Sequence, residues 1–185
     1  HYYITILPYC HITILPCLIK EEIIMGNASS NTVPTGKNII ASKLNVASKT
    51  GVLNLADQKL SSKSSVLVSL AENELAMKLK TLDLSGNKLV SLPPAVLQLI
   101  NLKTLLICRC SMASIPDASS LVHLVKIDAS NNDLRDGTLS LLPPAVQHCH
   151  LNKNHFSQLP FALLGLVNLI ELHLTENSIS SLSGI

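Results

Sequence analysis

A single pattern constrains this chain more than anything else in it: leucine-x-x-leucine-x-leucine-x-x-asparagine-x-leucine, recurring every 22 or 23 residues over the C-terminal half. The first clear copy is Leu79-Lys80-Thr81-Leu82-Asp83-Leu84-Ser85-Gly86-Asn87-Lys88-Leu89, and others follow at 102–112, 124–134, 146–156 and 169–179. A divergent copy at 50–60 precedes them at longer spacing, with Gln58 in the asparagine position. Six units exceed the roughly three that a stacked array needs for stability.

The spacing dictates a local geometry. Side chains alternate along an extended segment, so the fourth and sixth pattern positions face one side and enter a core. One such short strand cannot bury that face alone, and neighbouring copies must stack, pairing their strands in parallel along a solenoid. The ninth-position asparagines, Asn87, Asn132, Asn154 and Asn177, suit a buried site where an amide satisfies backbone groups as the chain turns. Cys110 takes that position in one copy and Cys149 replaces a core leucine in another; both read as small buried thiols.

On these residues the segment 50–185 resembles the leucine-rich repeat family. Ser91-Leu92-Pro93, Ser114-Ile115-Pro116 and Gln158-Leu159-Pro160 resemble its short intracellular subtype, whose return segments are irregular or tightly helical, and proline there discourages a long regular helix. The unit after Leu134 departs from the subtype, with Arg135-Asp136-Gly137-Thr138 in place of Leu-Pro. The resemblance implies an α/β solenoid, a horseshoe with a parallel concave sheet and short 3-10 or irregular convex segments. Ile40, Leu44 and Ala47 lie at helical spacing and predict an N-terminal capping helix over 38–49.

The composition agrees. The chain is 47% apolar but only 3% aromatic, as expected when leucine fills equivalent core slots. A net charge of +2 with no basic stripe interleaved with aromatics argues against nucleic acid. Five cysteines without metal-site or disulfide-framework spacing read as reduced thiols of a cytoplasmic protein.

The N-terminal region divides into two parts. Residues 1–24 carry a tandem echo, Ile4-Thr5-Ile6-Leu7-Pro8 and Ile12-Thr13-Ile14-Leu15-Pro16, and read as non-native translation ahead of a start at Met25. A disordered or strand-like extension and a membrane segment are the alternatives, the last opposed by the two prolines and the short length. Met25-Gly26-Asn27-Ala28-Ser29-Ser30 then fits the N-myristoylation pattern, making Gly26 the lipidation site in a polar linker over 25–37. A single myristoyl chain binds membrane only marginally, so tethering to a cytoplasmic membrane face would be reversible. The array stops at Ile185 just after a repeat begins its return, and further repeats are expected downstream.

The non-leucine positions of each strand make the candidate concave binding face. One column reads Val52, Thr81, Thr104, Lys126, His148 and Glu171, and the next reads Asn54, Asp83, Leu106, Asp128, His150 and His173. Such mixed polar and charged columns suit a protein partner. His148, His150, Glu171 and His173 fall on adjacent strands about 4.8 Å apart and are acceptable zinc ligands. The plainer reading of the four is a solvated histidine patch that charges at mildly acidic pH.

No phosphate loop, Gly-x-Ser-x-Gly turn or paired catalytic carboxylates point to catalysis, and no cofactor is expected. The expected function is a non-enzymatic protein-interaction scaffold or adaptor. The alternative is a regulatory subunit of an intracellular enzyme such as a phosphatase.

Overall fold

The computed structural model describes residues 36–180, apart from position 73. The expected start at Met25, the acyl acceptor Gly26, the extension 1–24 and the end of the chain lie outside the described residues. Helix α1 (Gly36–Thr50) begins two residues before the expected start of the capping helix at 38. It buries Ala47 completely and packs Ile40 and Leu44 on the core. Gly51 ends it with its N–H bonded to the Ala47 carbonyl at 2.8 Å, in the left-handed conformation (φ 72°) that glycine adopts without penalty.

Six three-residue strands follow: β1 (Val52–Asn54), β2 (Thr81–Asp83), β3 (Thr104–Leu106), β4 (Lys126–Asp128), β5 (His148–His150) and β6 (Glu171–His173). They form one parallel sheet in sequence order. Every pair is in pattern register, so Leu53, Leu82, Leu105, Ile127, Cys149 and Leu172 line up as one buried column. Leu55, Leu84, Ile107, Ala129, Leu151 and Leu174 form the second. The array is a solenoid.

Stacking is also fixed outside the strands. One carbonyl per repeat accepts two successive N–H groups from the next, as Lys80 does from Lys103 (2.8 Å) and Thr104 (3.0 Å). The buried asparagines tie the turns after the strands. Asn87 accepts from the N–H groups of Gln58 (3.1 Å) and Leu60 (2.8 Å) and donates to the carbonyls of Leu55 (2.9 Å) and Leu84 (2.6 Å). Asn132 and Asn154 repeat the arrangement, and Asn177 does so at a less buried position. Cys110 does part of this work, its thiol donating to the Leu84 carbonyl at 3.1 Å. Burial pushes the thiol of Cys110 up to about 11 and that of Cys149 up to about 12, so both stay protonated at neutral pH. Cys108, Cys110 and Cys149 are free thiols.

The eighth position of every repeat is left-handed: Asp57, Gly86, Arg109, Asn131, Lys153 and Glu176 have φ between 54° and 70°. Only one of the six is glycine. Asp57 and Asn131 are also residue types that tolerate this conformation, whereas at Arg109, Lys153 and Glu176 the turn geometry is imposed by the stacked array.

Return segments vary. The long serine-rich insert between β1 and β2 contains two single-turn helices, α2 (Ser65–Val68) and α3 (Leu75–Lys78), with a 3-10 turn at Ser69–Glu72 between them. Leu67, Leu70 and Leu75 anchor it in the core. Short 3-10 turns at Val96–Gln98 and Phe161–Gly165 follow two of the three Leu-Pro or Ile-Pro segments. The departing unit after Leu134 closes on itself, Thr138 Oγ1 donating to the Arg135 carbonyl at 2.7 Å. Asp136 then accepts from the Ser157 N–H of the next repeat at 3.0 Å, so the turn is bonded to its neighbour without a Leu-Pro. No helix among the described residues is long and apolar enough to cross a membrane.

Candidate functional site

The parallel register puts both predicted columns on the sheet face opposite the core. Val52 and Asn54 are exposed at the β1 edge, and the remaining positions are half-buried. Thr81, Thr104 and Lys126 stand beside one another in the first column.

In the second column the structure adds a role that strand periodicity did not disclose. Asn54, Asp83 and Asp128 each use one side-chain oxygen to accept an N–H two residues on: Ala56 at 3.0 Å, Ser85 at 2.9 Å and Ser130 at 3.0 Å. These are Asx turns that end the strand. Part of each group's accepting capacity is therefore structural. Leu106, whose side chain has no acceptor, His150 and His173 occupy the same column. In the last repeat Asn152 takes over, accepting from the Thr175 N–H at 2.9 Å.

The four residues singled out at the C-terminal end are brought together. His148 Nδ1 lies 2.8 Å from Glu171 Oε2, across the directly paired positions of β5 and β6. His173 Nε2 lies 2.8 Å from Glu171 Oε1. His150 and His173 stack with ring centroids 4.4 Å apart and an interplanar angle of 5°. His150 Nδ1 faces Asp128 Oδ2 at 3.8 Å. Its Nε2 is buried and makes no hydrogen bond; the nearest carboxylate oxygen, Glu171 Oε2, is 3.6 Å away.

These contacts set the local electrostatics. Burial alone would raise the Glu171 carboxyl, but the hydrogen bond to His148 and the fields of His150 and His173 outweigh it and hold the group below its ordinary value. Asp128 is likewise lowered against the effect of burial, by the neighbouring His150 and by the hydrogen bond from the Ser130 N–H. His173 is lowered, first by burial and then by the neighbouring His150, against the opposing pull of Glu171. Cys108 stands apart, donating to Ser85 Oγ at 3.1 Å, its thiol raised mainly by burial. His155 lies outside the cluster, with Nε2 3.7 Å from Asp133 Oδ1.

Aromatic side chains are missing from both sheet columns. The return segment after β5 instead exposes Phe161 (81%) and Val167 (82%). The sequence signal was present, since neither residue occupies a leucine slot of the repeat.

Residues 78–99 match the family model described as Leucine Rich Repeat. A leucine-rich repeat protein of Leptospira interrogans has a similar structure, with a TM-score of 0.61 and 25% identity, over 77% of this chain and 35% of that one. The solenoid has the fold of leucine-rich repeat proteins. Among curated relatives, the Dictyostelium discoideum protein named probable serine/threonine-protein kinase pats1 is 33% identical over 111 residues, 56% of this chain. The chain spans only 4% of that protein, so the kinase name describes a molecule far larger than the shared repeats. Leucine-rich repeat domains generally serve protein–protein interaction, and their fold is typically a non-enzymatic scaffold.

Proposed function

We propose that this chain is a non-enzymatic scaffold or adaptor whose concave sheet face binds a protein partner. The observation that carries the reading is the continuous strip of outward side chains across six strands in register, half-buried from β2 to β6, with Thr81, Thr104 and Lys126 at its centre. The strip mixes hydroxyl, cationic and acidic groups over a rigid hydrogen-bonded backbone, as non-obligate protein interfaces do. With no aromatic anchors on it, binding is weak to moderate.

Cross-linked affinity capture from the protein's own cells tests this reading. A partner held by the wild type is expected to be lost from a Thr104→Arg/Lys126→Glu variant and retained by Ser119→Arg, on an exposed return segment. Equal capture by all three would remove the concave face from the function. A captured catalytic subunit whose activity changes on binding would make the scaffold a regulatory subunit, of a phosphatase for example.

The location is cytoplasmic, at the inner face of a membrane, with translation from Met25 and myristate on Gly26. The hexapeptide 25–30 supports this, as does the resemblance of the glycine-asparagine start and the Ala47-Ser48-Lys49-Thr50-Gly51-Val52 junction to leucine-rich repeat-containing protein 57. Intact-mass measurement of the cellular protein is expected to show a blocked Gly26 carrying a myristoyl group. A chain that retains residues 1–24 would exclude the lipid.

A further inference from the structure

The histidine cluster is built as a ligand set and not only as a polar patch. Three donors converge from adjacent strands, and the ligand atoms of His150, Glu171 and His173 all lie within 4.8 Å of one another. A tetrahedral zinc ion with bonds of about 2.0–2.1 Å needs its ligands about 3.3 Å apart. Glu171 Oε2 to His150 Nε2, at 3.6 Å, and Glu171 Oε1 to His173 Nε2, at 2.8 Å, already bracket that separation.

The second, independent observation is the orphaned nitrogen. His150 Nε2 is buried and without a hydrogen-bond partner, although a buried polar atom left unsatisfied is costly. On the other side of the ring, Nδ1 faces Asp128 Oδ2 at 3.8 Å, just outside hydrogen-bond distance. A carboxylate behind the distal ring nitrogen is the outer support that metal-bound histidines use to fix tautomer and orientation. His148 Nδ1 hydrogen-bonds Glu171 Oε2 directly, at 2.8 Å. From these contacts the geometry points to a zinc site formed by His150, Glu171 and His173, with Asp128 and His148 positioning its ligands and a fourth coordination position open on the sheet face.

The stacked rings are nearly parallel, so binding requires each imidazole to turn about χ2 until the two Nε2 atoms converge on one point, His173 Nε2 releasing the proton it shares with Glu171 Oε1. That torsion is broad in histidine and costs little. The strands themselves need not move: their register is held by backbone hydrogen bonds on both sides, including Leu151 N–H to the His173 carbonyl at 2.8 Å. Two imidazoles and one carboxylate suit zinc, and Co2+ is accepted by the same donors. The site stands whether or not the sheet face binds a protein.

Titration of the full chain with Zn2+ by calorimetry, and with Co2+ by visible absorption, decides the matter. The wild type is expected to bind Zn2+ in the micromolar range or tighter and to give Co2+ d–d bands without a thiolate charge-transfer band. His173→Gln and Glu171→Gln are each expected to weaken Zn2+ at least tenfold, while His155→Gln binds as the wild type does. Circular dichroism confirms that the variants are folded. The site is overturned if the wild type shows no saturable binding. It is equally overturned if His173→Gln binds as tightly as the wild type, if His155→Gln loses binding to the same degree, or if a thiolate band places the metal on cysteine.

Discussion

Asn132→Ala is expected to cost about 3–5 kcal/mol of stability, although it deletes only a carboxamide. The side chain is 5% exposed and makes four good hydrogen bonds to backbone. It accepts from Cys110 N–H at 2.9 Å and Met112 N–H at 3.0 Å, and donates to the carbonyls of Ile107 and Ala129, both at 2.9 Å. Alanine leaves these backbone groups without that partner in a site walled by leucines. Each buried unsatisfied group costs about 1–3 kcal/mol, and partial relaxation keeps the total below the simple sum. The Ala129 carbonyl is the least affected, since Asn154 also donates to it at 3.1 Å. Asn177→Ala should cost less than Asn132→Ala, because Asn177 is only partly buried. Urea unfolding followed by circular dichroism measures both. A loss under about 1 kcal/mol for Asn132→Ala would mean that water enters and replaces the amide, and that the asparagine ladder is not what holds the turns.

That ladder shows what a sequence of this kind discloses. A repeat of 22 or 23 residues with alternating leucines leaves one arrangement of strands, because only parallel stacking in register puts each leucine column in a common core. The six strands, their order and the burial of Asn87, Asn132 and Asn154 were all legible in this way. The capping helix was legible from Ile40, Leu44 and Ala47, with its ends off by two residues and one. Features not written in periodicity were hidden. The left-handed eighth positions include Arg109, Lys153 and Glu176, residues whose own preferences give no hint of that conformation. The single-turn helices α2 and α3 carry too few residues for a 3.6-residue period to stand out.

The candidate site was legible only as adjacency. Strand register predicted that His148 would meet Glu171 and that His150 would meet His173, and both pairs form. Side-chain rotation lies beyond register. The stacking of His150 on His173, the buried Nε2 and the approach to Asp128 on the other side depend on torsions that spacing cannot specify. The same holds for Asn54, Asp83 and Asp128, whose Asx turns are chosen by side-chain orientation and claim part of what reads in sequence as binding surface.

Leu105→Ala and Leu106→Ala make the same chemical change at neighbouring positions of β3, and their costs should differ severalfold. Leu105 is fully buried in the column between Leu82 and Ile127, where truncation removes packing and leaves a cavity that the stacked strands cannot collapse around. A loss of about 2–5 kcal/mol is expected. Leu106 faces the other way, half-buried on the sheet surface between Asp83 and Asp128, and its truncation should cost under about 1 kcal/mol. The comparison is sensitive because strand faces alternate: a slip of one residue in β3 would exchange the two results. Equal losses would mean that the outer face is covered in the folded chain and unavailable to a partner. A large loss at Leu105 with a small one at Leu106 would leave the β3 fold intact in the second variant, so that any binding defect of Leu106→Ala reports on the surface alone.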